Sequence, residues 1–297
     1  MGHELWTSPI TGYRRKGTRL AELRAILGAG ITARAILEPL RSCAADASAT
    51  EIAESLRRRD FDVAGVKIRE VDPVIGFVEG CSLKRGIIRD FMKELTADRL
   101  VSDGIALPSL LTFLEARQHA FVLVGSSVAG IVTRADLNKP PVRVYLFGLV
   151  SLLEMHLGFW VRRGYPGDSW KAKLSGARLA AANRLLADRR RRNEDVGLFE
   201  CLQFCDKRDL FVRHPDLSSK LGIRETQEPT NRLKRAESLR NHLAHSQDDI
   251  VRGSSWEKVI ALVQWVEEVV HASDVLIERN AGRSLKRKSG PDLWASA

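Results

Sequence analysis

The chain has 297 residues, 44% of them apolar and 28% charged, the proportions of an ordinary globular protein with room for two modest domains. No apolar run approaches the roughly 18 residues that span a bilayer. The opening Met-Gly-His-Glu-Leu-Trp also lacks the basic-then-apolar order of a signal peptide. Both features weigh against a secreted or membrane protein and predict a cytoplasmic one. The net charge of +10 would concentrate a polyanion such as RNA, DNA or acidic lipid at the surface. Cys201 and Cys205 stand one helical turn apart, but no second Cys/His pair lies at zinc-ligand spacing. Together with Cys43 and Cys81 they are expected to be reduced, buried or half-buried thiols, with no metal bound.

Taken in order, Glu51–Arg58 predicts a helix with Ile52, Ala53 and Leu56 inward. Two short apolar runs follow, Val63–Val66 and Ile75–Val78. Ser109–Arg117 repeats the helix with Leu110, Leu111 and Leu114. Phe121–Val124, the turn Gly125-Ser126-Ser127 and Val128–Val132 then read as a hairpin. Leu56 and Leu110 are 54 positions apart, as are Gly76 and Gly130, which suggests a helix-strand-strand-helix unit occurring twice around a pseudo-twofold axis. The texture changes at Asn138-Lys139-Pro140-Pro141, where the Pro pair resists helix continuation and makes a hinge. Beyond it the pattern is helical. Val142–Arg163 carries Leu146, Val150, Leu153, Leu157 and Trp160 on one stripe. Trp170–Arg192, a shorter helix around Leu198–Phe211, Asn231–His245 capped by Thr230, and Trp256–Arg279 complete a bundle. Val259, Leu262, Val263, Val266 and Val270 form the inner face of the last helix. The basic runs at 189–192 and 283–288 read as a solvated helix end and a frayed tail.

Gly130-Ile131-Val132-Thr133-Arg134-Ala135-Asp136-Leu137 resembles the end of a CBS module, where a strand enters a helix through a Thr…Asp turn. CBS modules work in pairs and commonly bind adenine nucleotides. That resemblance makes Thr133 and Asp136 candidate ribose contacts and ATP, ADP, AMP or a cyclic nucleotide a candidate regulator. The first repeat departs from the pattern, with Glu79 and Ser82 at the equivalent places, so at most one of two clefts is competent. The competing reading is structural: Thr133 caps the next helix and Asp136 favours its first turn.

In the helical part, Arg240-Asn241-His242-Leu243-Ala244-His245 resembles the HEPN family motif: Arg, a polar residue often Asn, three variable residues, and His near a helix end. Spacing alone is weak, because 47 Lys+Arg and 7 His produce a basic residue five before a His about once by chance. Arg208…His214 and Arg235…His242 fit a looser window, but Arg208…His214 lacks the Asn. The chemistry suits RNA cleavage without metal or cofactor, since the substrate's own 2′-hydroxyl attacks the adjacent phosphorus. His245 would act as general base or acid, Arg240 would hold the phosphate, and the Asn241 amide would orient either. Arg240 and His245 lie about 140° apart around a helix, so they converge only through long side chains, a distorted turn or a cleft shared by two chains. HEPN domains typically dimerise into such a composite groove. Glu154 either holds Arg240 or is a surface residue, and His242 either lines the groove or faces solvent.

The expected fold is α+β: a tandem CBS (Bateman-type) α/β module over 1–138, an all-α HEPN-like bundle over 139–282, and a basic tail over 283–297. The expected function is a nucleotide-regulated endoribonuclease acting as a toxin or anti-phage effector, with RNA, a second copy of the chain and an antitoxin as partners. The alternative is a non-catalytic, CBS-regulated RNA- or nucleotide-binding scaffold.

Overall fold

A computed structural model describes residues 19–223, 229–244, 249–251 and 253–288. In chain order the principal elements are α1 (Leu20–Leu23), β1 (Glu38–Pro39), β2 (Ser42–Ala44), α2 (Ala49–Arg58), β3 (Val63–Lys67), β4 (Gly76–Glu79), β5 (Lys93–Glu94), β6 (Leu100–Ser102), α3 (Leu107–Glu115), β7 (His119–Val124) and β8 (Ser127–Thr133). Then follow α4 (Pro140–Gly164), α5 (Gly176–Arg191), α6 (Phe204–Arg213), α7 (Leu217–Lys220), α8 (Pro229–Ala244) and α9 (Trp256–Lys288). The described residues form two compact units, one of residues 26–143 and one in which residues 19–25 join those from 144 onward.

The first unit contains two four-stranded sheets, ordered β1-β8-β7-β6 and β2-β3-β4-β5. Each holds a parallel pair followed by an antiparallel hairpin: β2 with β3 then β4, and β6 with β7 then β8. Alternating apolar residues and the Gly125 turn, at φ 64°, make the second hairpin. Gly76 pairs with Val66 and Gly130 with Val122, so the two glycines are equivalent positions. A Cβ at Gly76 would lie 2.5 Å from the Met92 side chain and 2.8 Å from the Lys93 carbonyl, which is why glycine stands there. The constant repeat of 54 does not extend to the helices. Their N-caps, Ser48 and Ala106, are 58 apart and Val66 and Val122 are 56 apart, so Leu56 corresponds to Leu114 rather than Leu110. The loops of the first module are longer, and a fixed period cannot register that. The sheets share an apolar core in which Phe77 and Phe121 pack with ring centroids 4.8 Å apart.

In the second unit the expected stripe of α4 is buried: Leu146, Val150, Leu153, Leu157 and Trp160 are all 3% exposed or less. The inner face expected of α9 is buried too. Pro140 and Pro141 form the first turn of α4, where a missing N–H costs nothing, and the division between units falls inside this helix after Arg143. Between Arg143 and Arg162 only Glu154 and His156 are ionisable near neutral pH. By length and composition α4 is therefore apolar enough to cross a membrane, with most of it buried. This corrects the expectation that no run reaches that length; a core helix passes the same test.

Other expectations shift for local reasons. The segment 19–25 sits with the helices: the Leu20 N–H donates to Asp274 Oδ2 at 3.0 Å, and Arg24 pairs with Glu267 at 2.6 Å. Trp170–Arg192 is not one helix. A 3-10 segment ends at Lys173, and Ser175 caps a new helix by accepting from the Arg178 N–H. A second 3-10 turn, Phe199–Cys201, precedes α6. Thr230 lies inside α8, which begins at Pro229, and α9 continues to Lys288, so the backbone of 283–288 is helical rather than frayed. In the run 189–192, Arg189 and Arg192 pair with Glu194, and Arg191 pairs with Asp188. Cys201 and Cys205 are buried, Cys43 is half-buried and Cys81 is exposed, all as free thiols.

Candidate functional sites

On α8 the apolar residues Leu233, Ala236, Leu239 and Leu243 are buried, a helical stripe that seats the helix against its neighbours. Arg240 lies beside that stripe, 38% exposed at its side chain. Its Nη2 is 3.9 Å from Glu154 Oε2 on α4, an ion contact too long for a hydrogen bond. Its Nη1 donates to Asn241 Oδ1 at 3.3 Å. Its Nε is buried without a hydrogen-bond partner among the described residues. The other Glu154 oxygen accepts from Lys207 Nζ of α6 at 2.7 Å. Two cations from different helices thus flank one carboxylate, leaving net positive charge and a spare donor at a half-exposed position. His242 is half-buried. His245 lies outside the described residues.

The two residues of the competing spacing, Arg208 and His214, are each engaged by structural partners. Arg208 is buried and donates to Glu237 on α8 and to Asp209 Oδ1 at 2.7 and 2.8 Å. His214 Nδ1 accepts from the Asp216 N–H at 3.2 Å and Nε2 lies 3.1 Å from the Gly164 carbonyl. Both ring nitrogens are committed to backbone. Arg235 of the third spacing is exposed.

The second site is a cleft of about 870 Å³ in the sheet unit. At its edge α2 ends through Asp60 in the left-handed region, at φ 55°, and the Phe61 N–H closes the turn on the Leu56 carbonyl at 3.0 Å. This turn delivers Asp60, Phe61 and Asp62 to the cleft. Thr133 at the end of β8 and Asp136 in the 3-10 turn that follows also line it. Asp136 Oδ2 accepts from the Thr133 N–H at 2.7 Å and from its hydroxyl at 2.9 Å, while Lys139 lies 2.9 Å from Oδ1. The Thr…Asp turn is therefore closed upon itself, with the carboxylate 8% exposed. Glu79, the first-repeat counterpart of Thr133, pairs instead with Lys93 at 2.7 Å, and the Ser82 hydroxyl donates to the Glu79 carbonyl. It lines the same cleft.

His119, on β7 directly opposite Thr133, also lines the cleft. Its ring meets Phe77 and Phe121 edge-on, and its Nε2 is buried without a partner among the described residues. Burial pushes its pKa below the usual imidazole value; Arg99 and Lys93 add to the shift, and Glu79 and Asp62 oppose it. Sequence reading missed Lys207, Phe61, Asp62 and His119. Only His119 carried a signal, a histidine placed in a strand otherwise apolar. Among the described residues no group of three His, Cys, Asp or Glu side chains is placed to hold a metal ion.

No protein-family model matches the chain, and no curated protein matches it. Several solved structures are similar to part of it. One is the CBS domain of a bacterial CNNM/CorC family Mg2+ transporter in complex with ATP, 19% identical, covering 38% of this chain and 88% of that one at a TM-score of 0.33. A CBS domain-containing protein of unknown function from Bacillus anthracis is 9% identical over 37% of this chain and 91% of its own, at 0.33. The CBS domain protein TA0289 of Thermoplasma acidophilum is 14% identical over 40% and 75%, at 0.32.

Proposed function

We propose that the chain is a cytoplasmic endoribonuclease whose helical unit, a HEPN-type domain, cuts RNA under the control of a CBS-type sensor. The observation that carries the nuclease reading is Arg240: a half-exposed guanidinium, positioned by Glu154 and Asn241, with one buried donor uncommitted among the described residues. A phosphate is the ligand such a fork suits. In the reaction the 2′-hydroxyl loses its proton to a base, its oxygen bonds to phosphorus, and the bond from phosphorus to the 5′-oxygen breaks. The leaving oxygen takes a proton. The products are a 2′,3′-cyclic phosphate and a 5′-hydroxyl, and water is not consumed. Arg240 offsets the charge gathering on the phosphorane oxygens, and His245 serves as base or acid. Two copies meeting at α8 would supply two such sets to one groove.

The sensor reading rests on the cleft, where the ribose candidates Thr133 and Asp136 stand beside His119 and exposed Phe61. A ligand of the adenine-nucleotide class occupying it would bias how two nuclease domains meet, as a toxin or anti-phage effector held in check requires. The test is labelled RNA incubated in EDTA with the wild type, Arg240→Ala and His245→Ala. Cutting by the wild type alone supports the proposal. Intact RNA with and without adenine nucleotides, or equal cutting by all three, leaves a non-catalytic RNA- or nucleotide-binding scaffold as the reading.

A further inference from the structure

Cations outnumber carboxylates around Arg240, and one of them has no part in the reaction proposed above. Glu154 is the single carboxylate of α4 and Glu237 that of α8, while α6 carries Asp206 and Asp209. Arg208 takes Glu237 and Asp209, and Arg178 takes Asp206. Farther along α4, Arg162 takes Glu200. That leaves Glu154 between Arg240 and Lys207, two cations to one carboxylate. Lys207 reaches it from α6 past Gly158, one turn beyond Glu154, where a Cβ would lie 3.8 Å from the lysine Cδ. The Lys207 side chain is 15% exposed, and its ammonium donates to Glu154 Oε1 at 2.7 Å. An ammonium has three N–H donors, and the others have no partner among the described residues.

We propose, resting on the nuclease reading of Arg240, that Lys207 is the second phosphate-binding group of the same site, with Glu154 positioning both cations. Lys207 Nζ and Arg240 Nη2 face the two oxygens of one carboxylate, 2.7 Å and 3.9 Å away. The oxygens of a phosphate are spaced much as those of a carboxylate are, so the two cations can bracket one phosphate. A glutamate that steers a lysine onto phosphate oxygens is the arrangement of protein-kinase sites. Here the ammonium keeps its bond to Glu154 while its other N–H groups serve the substrate. Lys207 neither gains nor loses a proton in the reaction. A phosphodiester enters with one negative charge and its phosphorane carries two, so a second donor acts chiefly in the transition state.

The test on the full-length chain joins initial rates on labelled RNA in EDTA to a titration with inorganic phosphate, followed by phosphorus NMR. Lys207→Met should lower kcat about a hundredfold with KM within about threefold, and Lys207→Arg should recover about tenfold of that loss. Phosphate should bind Lys207→Met at least about fivefold more weakly than the wild type. Lys207→Met also leaves Glu154 without its hydrogen bond, so its melting temperature is compared with that of Lys207→Met combined with Glu154→Gln. The combined variant should turn over at least about tenfold more slowly than Glu154→Gln alone. If it matches Glu154→Gln, or if Lys207→Met cuts RNA within about twofold of the wild type, Lys207 only ties α6 to α4 and the nuclease reading stands without it. If the wild type leaves RNA intact, the nuclease reading falls and the phosphate titration decides the two-cation site alone. No binding, or equal binding by the wild type and Lys207→Met, then rejects it.

Discussion

Each unit carries an inward-facing histidine, and the two differ in what borders them. In the helical unit His156 is fully buried, with Nδ1 2.6 Å from the Ser273 hydroxyl, which also accepts from Trp160 Nε1 at 2.6 Å, and with Asp274 3.8 Å from Nε2. That cluster contains the residue types of a Ser-His-Asp hydrolase, yet no substrate reaches a side chain at zero exposure. It is a polar node that ties α4 to α9. In the sheet unit His119 lines a cleft and keeps Nε2 without a partner among the described residues. The arginines divide the same way: Arg208 is fully engaged by Glu237 and Asp209, whereas Arg240 retains an uncommitted buried donor. A polar group sealed inside the helices builds the fold. One left unsatisfied beside accessible space costs stability, and a ligand is the simplest compensation.

This contrast is broken most decisively by removing one arginine of each kind. Arg240→Ala should lower RNA cutting by about 10²–10³-fold, the usual loss when a donor to the developing charge is removed, with thermal stability nearly unchanged. Initial rates on labelled RNA, with the melting temperature alongside, are the measurement. Equal losses of activity and stability would make Arg240 another Arg208. The reverse is expected of Arg208→Ala, which strands Glu237 and should destabilise the helical unit by about 3 kcal/mol. All six tryptophans lie outside residues 26–143, so tryptophan fluorescence in a urea titration follows that unit. Activity of the folded fraction should stay within about twofold.

A smaller effect sharpens the role of Glu154. Glu154→Gln keeps an oxygen for Lys207 but removes the charge facing Arg240. We expect about a tenfold fall in turnover and a smaller loss of stability than Arg208→Ala causes, because the amide oxygen keeps the hydrogen bond from Lys207. Unchanged turnover would return Glu154 to a purely structural tie between α4 and α6.

What the sequence could reveal follows the range of each interaction. The stripe from Leu146 to Trp160 and the Gly125 hairpin are set by spacing within a few residues, and both were legible. The equivalence of Gly76 and Gly130 was legible because each glycine answers to a neighbouring strand. The break before α5 was local as well, but Ser175 reads as a cap only once the chain ahead of it is known to leave the helix. Partners distant in sequence were not legible. Lys207 is one of 47 basic residues, and nothing near it in the chain points to Glu154. Asp274 receives the Leu20 N–H from 254 positions away, so nothing near Leu20 in the chain points to the helices it packs with. At the cleft, Thr133 and Asp136 could be named from their turn, whereas Asp60, Phe61 and Asp62 reach it only through the assembled fold.

The least effect, and the finest test of the contrast, is the pH dependence of the sheet unit. Burial disfavours the charged form of His119, so its folded pKa lies below the unfolded value of about 6.5. Below that pH the unfolded chain binds a proton that the folded chain does not, and stability falls with acidification until the folded pKa is reached. Above about pH 6.5 both states are neutral and this contribution is level. His119→Gln should remove the loss that begins below about pH 6.5 while leaving the carboxylate-driven fall, as followed by amide hydrogen exchange of β7 and β8. A slope that is the same in the wild type and His119→Gln would mean that the imidazole does not titrate differently in the folded and unfolded chain.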